Sequence, residues 1–389
     1  MADHTGGPAG PHPGRSIAIS FLGDPNSVHV RRFATYFAAR GHRVTLLVPN
    51  DLELRAGFSA DIAIVRFRGQ SGWRVPQLGL LATGWSARRA VARSRPDVLQ
   101  VHYLTVNGFR AWSSGFHPCV VTVWGNDVLI DPRRSRRARI LARLSLRSAD
   151  LVTGLTKHLV DAAIEFGAKP ERTRVLHFGV DTALFSPGPD PTGLRARLGL
   201  TGRRVLFSPR IIDRLYRHEV IIEALAALPQ DVTLVMTRYF ANAEVQAELE
   251  RLIADLGLTE RVVIAPETPY SDRPDFYRLA DAVVSVPETD GGPVSLIEAL
   301  AVGRPIVCSD LPPVREWLEE IDPAGLVPVG DVAATAAAIR TALDTEPAER
   351  AEISRLGREA VLQRADQSRT MAELERLYLE LAAGGGPNR

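Results

Sequence analysis

The residues most able to do chemistry cluster at 282–305, AVVSVPETDGGPVSLIEALAVGRP. A strand expected to end near Val286 runs into an acidic loop, then two glycines, then a helix starting near Pro293 or Val294. Gly291 and Gly292 let a backbone approach a ligand closely, and Pro293 suits a first helical turn because it needs no N–H donor there. The N–H groups of Val294, Ser295 and Leu296 would then present the positive end of the helix, an anion site fitted to a diphosphate. Asp290 and Glu298 lie eight residues apart. On their own they allow a bland alternative: Asp290 as a helix cap and Glu298 as a solvated side chain.

A second chemical signal is cationic. Residues 133–147 hold seven arginines in fifteen positions, with Ile140, Leu141, Leu144 and Leu146 interleaved. An amphipathic helix of this kind can be a solvated face, lie on an anionic membrane, or bind an anionic acceptor.

These groups need a scaffold, and the chain supplies a regular one. Short apolar runs alternate with helical stretches: strands at Ser16–Leu22, Arg43–Val48, 97–101, Cys119–Val123 and Leu151–Gly154, with a helix over 28–40 closed by Gly41. Residues 179–193 break the pattern with three prolines and three glycines and read as a linker. Strands resume at 204–207, 232–236, 262–265, 282–286 and 305–308. Continuous apolar strands between helices predict parallel sheets covered on both faces. The expected organisation is a disordered leader at 1–14, an α/β domain at 15–185, a second at 186–366, and a C-terminal helix at 367–384 that packs on the second domain or crosses back to the first. Ligands in doubly wound folds sit at the carboxyl ends of the strands, here expected in a cleft between domains.

Composition narrows the function. Apolar residues make up 45% and charged residues 24%, which excludes global disorder. No apolar run is long enough to span a membrane, and 1–14 lack the apolar core of a secretory signal. A net charge of +2 argues against nucleic acid as a partner. Cys119 and Cys308 read as separate buried thiols of a cytoplasmic protein. Lys157 and Lys169 are the only lysines. No P-loop, nucleophile elbow, HExxH or Asp-x-Asp pattern occurs, so metal-independent chemistry is expected.

The stretch from Asp290 through Glu298 to Ile306-Val307 resembles the Glu-x7-Glu region of the retaining family-4 glycosyltransferases of GT-B fold, with Asp in the first place. Further resemblance lies in 24–43 (DPNSVHVRRFATYFAARGHR), in Asp97-Val-Leu-Gln-Val-His102, in Val121-Thr-Val-Trp124-Gly-Asn-Asp127, and in His177-Phe-Gly-Val-Asp181 through Pro187. It covers roughly residues 16–384. Where many members place a His, this chain has Trp124, which either stacks on a sugar ring or belongs to the core.

The resemblance implies two Rossmann-like domains of GT-B type and transfer of a sugar from a nucleotide diphosphate, a UDP-sugar or alternatively a GDP-sugar, with retention at the anomeric carbon. It assigns Asp290 to donor-sugar hydroxyls, with Glu288 able to compensate for the shorter acid, and Glu298 to the nucleotide ribose. Arg210 matches the arginine that neutralises the diphosphate. The partner lysine is missing, so Arg214 or Arg217 must fill its place if it is filled; each of these arginines alone could equally be a surface residue. Guanidinium groups beside a helix N-terminus suit a leaving group that gains negative charge. Arg238 is a further donor-side candidate. Ser27, His29, His102, Trp124 and Asp127 fall on the acceptor side. No cofactor beyond the nucleotide sugar is expected. The acceptor is a small molecule, lipid or glycan, with peripheral membrane contact through 133–147 as an option. Two rivals stay open: a sugar-nucleotide epimerase or hydrolase of the same shape, and a non-catalytic relative that only binds.

Overall fold

The computed structural model describes residues 15–55, 57–69, 76–238 and 241–384. The expected leader lies outside them. Two compact units result, one formed by 180–367 and the other by the preceding chain together with the residues from 368 on.

The first unit carries seven strands: β1 (Ala18–Leu22), β2 (Arg43–Pro49), β3 (Ile62–Phe67), β4 (Val98–His102), β5 (Cys119–Val123), β6 (Leu151–Gly154) and β7 (Thr173–Val175). They pair in the order β3-β2-β1-β4-β5-β6-β7, all parallel. β1, β4, β5 and β6 are buried along their whole length, which explains their unbroken apolar runs. β3 sits at an edge and buries only its two end residues. β7 is three residues long.

The second unit carries β8 (Arg204–Ser208), β9 (Val232–Thr237), β10 (Val262–Ala265), β11 (Ala282–Ser285), β12 (Ile306–Ser309) and β13 (Leu326–Val327), in the order β10-β9-β8-β11-β12-β13 and again parallel. One core includes Trp317, Tyr277 and Leu300. The other gathers Ile221, Met236 and Ile339. In each sheet the strand order reverses once, between β1 and β4 and between β8 and β11. Those are the points at which such sheets open to ligands.

The last helix, Gln367–Ala383, belongs to the first unit. Tyr378 stacks on Phe37 at 5.1 Å and donates its hydroxyl proton to Gln100 Oε1. Glu375 pairs with Arg40 Nε at 2.7 Å and with His42 Nε2 at 2.8 Å, all three side chains buried. Val180 and Asp366 lie side by side: the Val180 N–H donates to Ala365 O, and the Gln367 N–H donates back to Val180 O.

Candidate functional site

β8 delivers Ser208-Pro-Arg210 to the reversal point, and β11 delivers the loop carrying Asp290. Arg210 Nη2 lies 3.1 Å from Asp290 Oδ2, with side chains only 13% and 9% exposed. Its Nη1 donates to Ser295 Oγ at 3.0 Å, and its guanidinium lies over the Tyr216 ring at 4.2 Å. Burial pulls the Arg210 pKa down, but Asp290 and Tyr216 more than offset this and raise it. A fixed, fully charged guanidinium thus stands beside the first turn of the helix Val294–Val302.

Asp290 does not cap that helix. Pro293 occupies the cap position without a side-chain bond, and Asp290 Oδ1 accepts the Gly292 N–H at 3.1 Å. The Val294 N–H, expected to be free for an anion, donates to Gly292 O at 2.8 Å. That leaves the Ser295 and Leu296 amides in the first turn, where an α-helix supplies no backbone partner of its own. Neither Gly291 nor Gly292 is among the glycines with positive φ, so the loop does not need them for left-handed backbone.

Glu298 is buried rather than solvated. Tyr277 donates its hydroxyl proton to Glu298 Oε2 at 2.6 Å. Burial, and then the Glu298 charge, raise the Tyr277 pKa well above that of an ordinary phenol, so the phenol stays a proton donor. The two residues line a small cavity of about 30 Å³ with Phe207, Pro209, Thr237, Thr268, Arg273 and Phe276.

The other donor-side candidates lie outside the Arg210–Asp290 contact. Arg214 is exposed and held by Glu248 at 2.7 Å, on the helix Ala243–Asp255. Arg217 adopts a left-handed backbone at φ 48° and gives its Nε–H to Glu219. Both guanidinium groups are thus committed to acids other than Asp290. Arg238 follows β9 with an exposed side chain, and its N–H bonds Ala265 O at 2.9 Å. Glu288 is exposed, and its N–H donates to Leu215 O at 3.0 Å.

Sequence reasoning missed Tyr277, Tyr216 and His218. His218 opens the helix His218–Ala226 and is buried. Burial, reinforced by the Arg210 charge, lowers its pKa to about 4, so it stays neutral. Only tertiary packing reveals these three.

In the first unit, the reversal point gathers three acceptor-side candidates from distant parts of the chain. His29 stacks on Phe178 at 4.2 Å, and Trp124 meets His29 at 5.7 Å, Phe178 at 4.9 Å and His102 at 5.7 Å, edge-on in each case. Trp124 is half-buried and packed into this aromatic group. His102 is 1% exposed and stacks on Phe21. Burial lowers its pKa to about 3, and neither ring nitrogen has a partner. It backs the cluster rather than presenting itself at a surface. Gly23 lets the chain pack closely here, since a Cβ would crowd the His102 Cβ at 3.0 Å.

Asp127 sits beneath this group. It is fully buried, and its oxygens accept the N–H groups of Trp124 (3.0 Å), Gly125 (2.8 Å) and Leu104 (2.7 Å). The carboxylate ties the end of β4 to the end of β5. Ser27 stands half-buried before the helix Val28–Ala39 and makes no side-chain cap bond.

Among the described residues, no group of three or more His, Cys, Asp or Glu is arranged to hold a metal ion. None of the described helices is long and apolar enough to cross a membrane.

Two family models match in tandem: the glycosyl transferase 4-like domain over 27–179 and glycosyl transferases group 1 over 194–360. The chain belongs to the group 1 glycosyltransferases. Among named relatives of this group 1 chain, D-inositol 3-phosphate glycosyltransferase 1 of Catenulispora acidiphila is 34% identical over 42% of this chain and 42% of its own. The D-inositol 3-phosphate glycosyltransferase of Acidothermus cellulolyticus is 30% identical over 51% and 45%. The matched stretches thus span less than half the length of these relatives. The GT-B fold is shared with solved structures. Anabaena HepE in complex with UDP and glucose superposes with a TM-score of 0.76 at 21% identity, covering 94% of this chain and all of that one. Sucrose-phosphate synthase from Thermosynechococcus elongatus gives 0.79 at 20%, covering 94% and 99%.

Proposed function

We propose that this group 1 glycosyltransferase moves a sugar from a nucleotide diphosphate sugar to an acceptor hydroxyl with retention of configuration. The observation that carries the reading is the buried Arg210–Asp290 pair beside the first turn of the helix that holds Glu298. In this reading Arg210 and the helix amides hold the diphosphate, Asp290 addresses the donor sugar, and Glu298 addresses the ribose. As the anomeric C–O bond breaks, its electron pair passes to the diphosphate. The acceptor oxygen forms the new bond on the same face, and its proton goes to the departing phosphate. Fixed positive charge lowers this barrier because it opposes charge that grows only as the bond breaks. The positive charge is supplied by the protein, with no metal taking part.

A UDP-sugar is the favoured donor, supported by the UDP and glucose held by HepE. A phosphorylated polyol or sugar is the favoured acceptor class, supported by the names of the relatives. The acceptor binds the unit that carries His29 and Trp124. The test is a panel of UDP-, GDP-, ADP- and dTDP-sugars with inositol phosphates and sugar phosphates, read by nucleotide release and by NMR of the product anomer. Acceptor-dependent release of UDP with an unchanged anomer supports the reading. Turnover of donor alone supports an epimerase or hydrolase, and no turnover with any pair supports a binding relative.

A further inference from the structure

The arginine-rich segment is not absorbed by the donor site. It folds as a short helix, Asp131–Arg134, and a longer one, Arg136–Ser148, whose start is capped by Ser135 Oγ on the Ala138 N–H. The longer helix is one of three neighbours. A Cβ on Gly108 of the helix Thr105–Ser114 would come within 2.8 Å of Ser145 Oγ. A Cβ on Gly84 of the helix Pro76–Ser94 would come within 2.6 Å of Ser113 Oγ. These approaches set the three helices side by side.

Their outer positions combine two unusual properties. Four of the ten exposed large hydrophobic residues among the described residues stand here: Leu81 (63%), Trp85 (58%), Trp112 (41%) and Ile140 (58%). Leu81, Trp85, Arg88 and Arg89 recur at helical spacing opposite the buried Ala87, Ala90 and Val91. Trp112 lies between the two glycine contacts of its neighbours. Ile140 shares its face with Arg136, Arg137 and Arg147, away from the buried Ala142 and Leu146. The three helices also hold nine arginines and no carboxylate. Among the described residues, Arg88, Arg89, Arg136, Arg137 and Arg143 form no ion pair with an acid. Arg89 instead covers the Trp85 ring at 3.5 Å.

We propose that this face docks the first unit on a bilayer carrying anionic phospholipid. The arginines meet the phosphate headgroups while their methylene stems lie along the apolar surface. The two indoles and the aliphatic tips enter the interfacial layer, where an apolar ring with one polar edge is at home. The apolar tips stand singly among cations rather than as one continuous patch. That arrangement fits a fluid, negatively charged surface better than a close-packed protein partner.

The experiment is co-sedimentation of the full chain with phosphatidylcholine vesicles, with and without phosphatidylglycerol. Binding is expected only to the anionic vesicles and is expected to fall as salt is raised. Arg136→Glu/Arg137→Glu/Arg143→Glu, and separately Trp85→Ser/Trp112→Ser, should each weaken it by about ten-fold or more. Both variants should keep the parent melting curve and nucleotide affinity, which separates this proposal from the donor reading. No sedimentation with anionic vesicles overturns it, as does full binding by both variants. Self-association in sedimentation velocity that Trp112→Ser abolishes, without vesicle binding, overturns it in favour of an interface between copies.

Discussion

The Tyr277 hydroxyl lies 2.6 Å from Glu298 Oε2, joining two helices through a pair of buried side chains. The phenol cannot ionise at ordinary pH, so it stays a donor and fixes one carboxylate oxygen. Tyr277→Phe removes that restraint without opening a cavity. Affinity for the nucleoside diphosphate, measured by calorimetry, should fall about ten-fold, the value of one hydrogen bond to a charged group. Glu298→Gln should fall at least as far. Unchanged affinity in both would remove Glu298 from the site.

Arg210 and Arg214 should behave in opposite ways. Arg210→Lys keeps a charge but loses the fork that reaches Asp290 and Ser295 together. Turnover number should drop about a hundred-fold, in the range seen when one fixed donor to a developing anion is lost. Arg214→Ala should change kcat/KM by less than about two-fold, because its partner is a surface glutamate. A large loss in the second variant would show that the loop rearranges on binding.

Asp127 should prove structural. Asp127→Ala leaves three backbone N–H groups without their acceptor in the interior. Denaturant unfolding should show a loss of about 3 kcal/mol. Asp127→Asn retains an acceptor and should lose less. A fully stable Asp127→Ala protein with failed turnover would instead point to a direct role.

Acid should destabilise the fold through His102 and His218. Their folded pKa values are depressed to about 3 and about 4, whereas an unfolded histidine titrates near 6.5. Between those values the unfolded chain binds the extra protons, so stability is present above the unfolded pKa and is lost as pH falls. Each histidine contributes a slope of about 1.4 kcal/mol per pH unit within its window. The melting temperature should fall from pH 7 towards pH 4.5, and His102→Phe should flatten that profile.

The strands were legible where burial on both faces produces an apolar run, as in Val98–His102 and Ala282–Ser285. β3 escaped notice because an edge strand buries only its ends, and β7 and β13 because three or two residues carry no period. Asp290 and Glu298 could be singled out because a strand, a glycine loop and a helix start lie within one short stretch. Tyr277 could not, since its bond to Glu298 crosses between helices. The outward course of Arg214 was also hidden: a single 3-10 turn at Arg214–Tyr216 decides it. Asp127 looked available because nothing local announces that its carboxylate also answers the Leu104 amide after β4, a distant part of the chain.

The Glu375 and Tyr378 contacts make the order of synthesis matter. Residues 180–367 form one continuous stretch and can close their core as soon as they leave the ribosome. The amino-terminal half lacks its last helix until residues 367–383 are made. Arg40 and His42 wait for Glu375, and Phe37 for Tyr378, through the translation of everything between. During that interval the earlier unit presents an unfinished apolar seam, and it is there that chaperone contact or misassembly would concentrate.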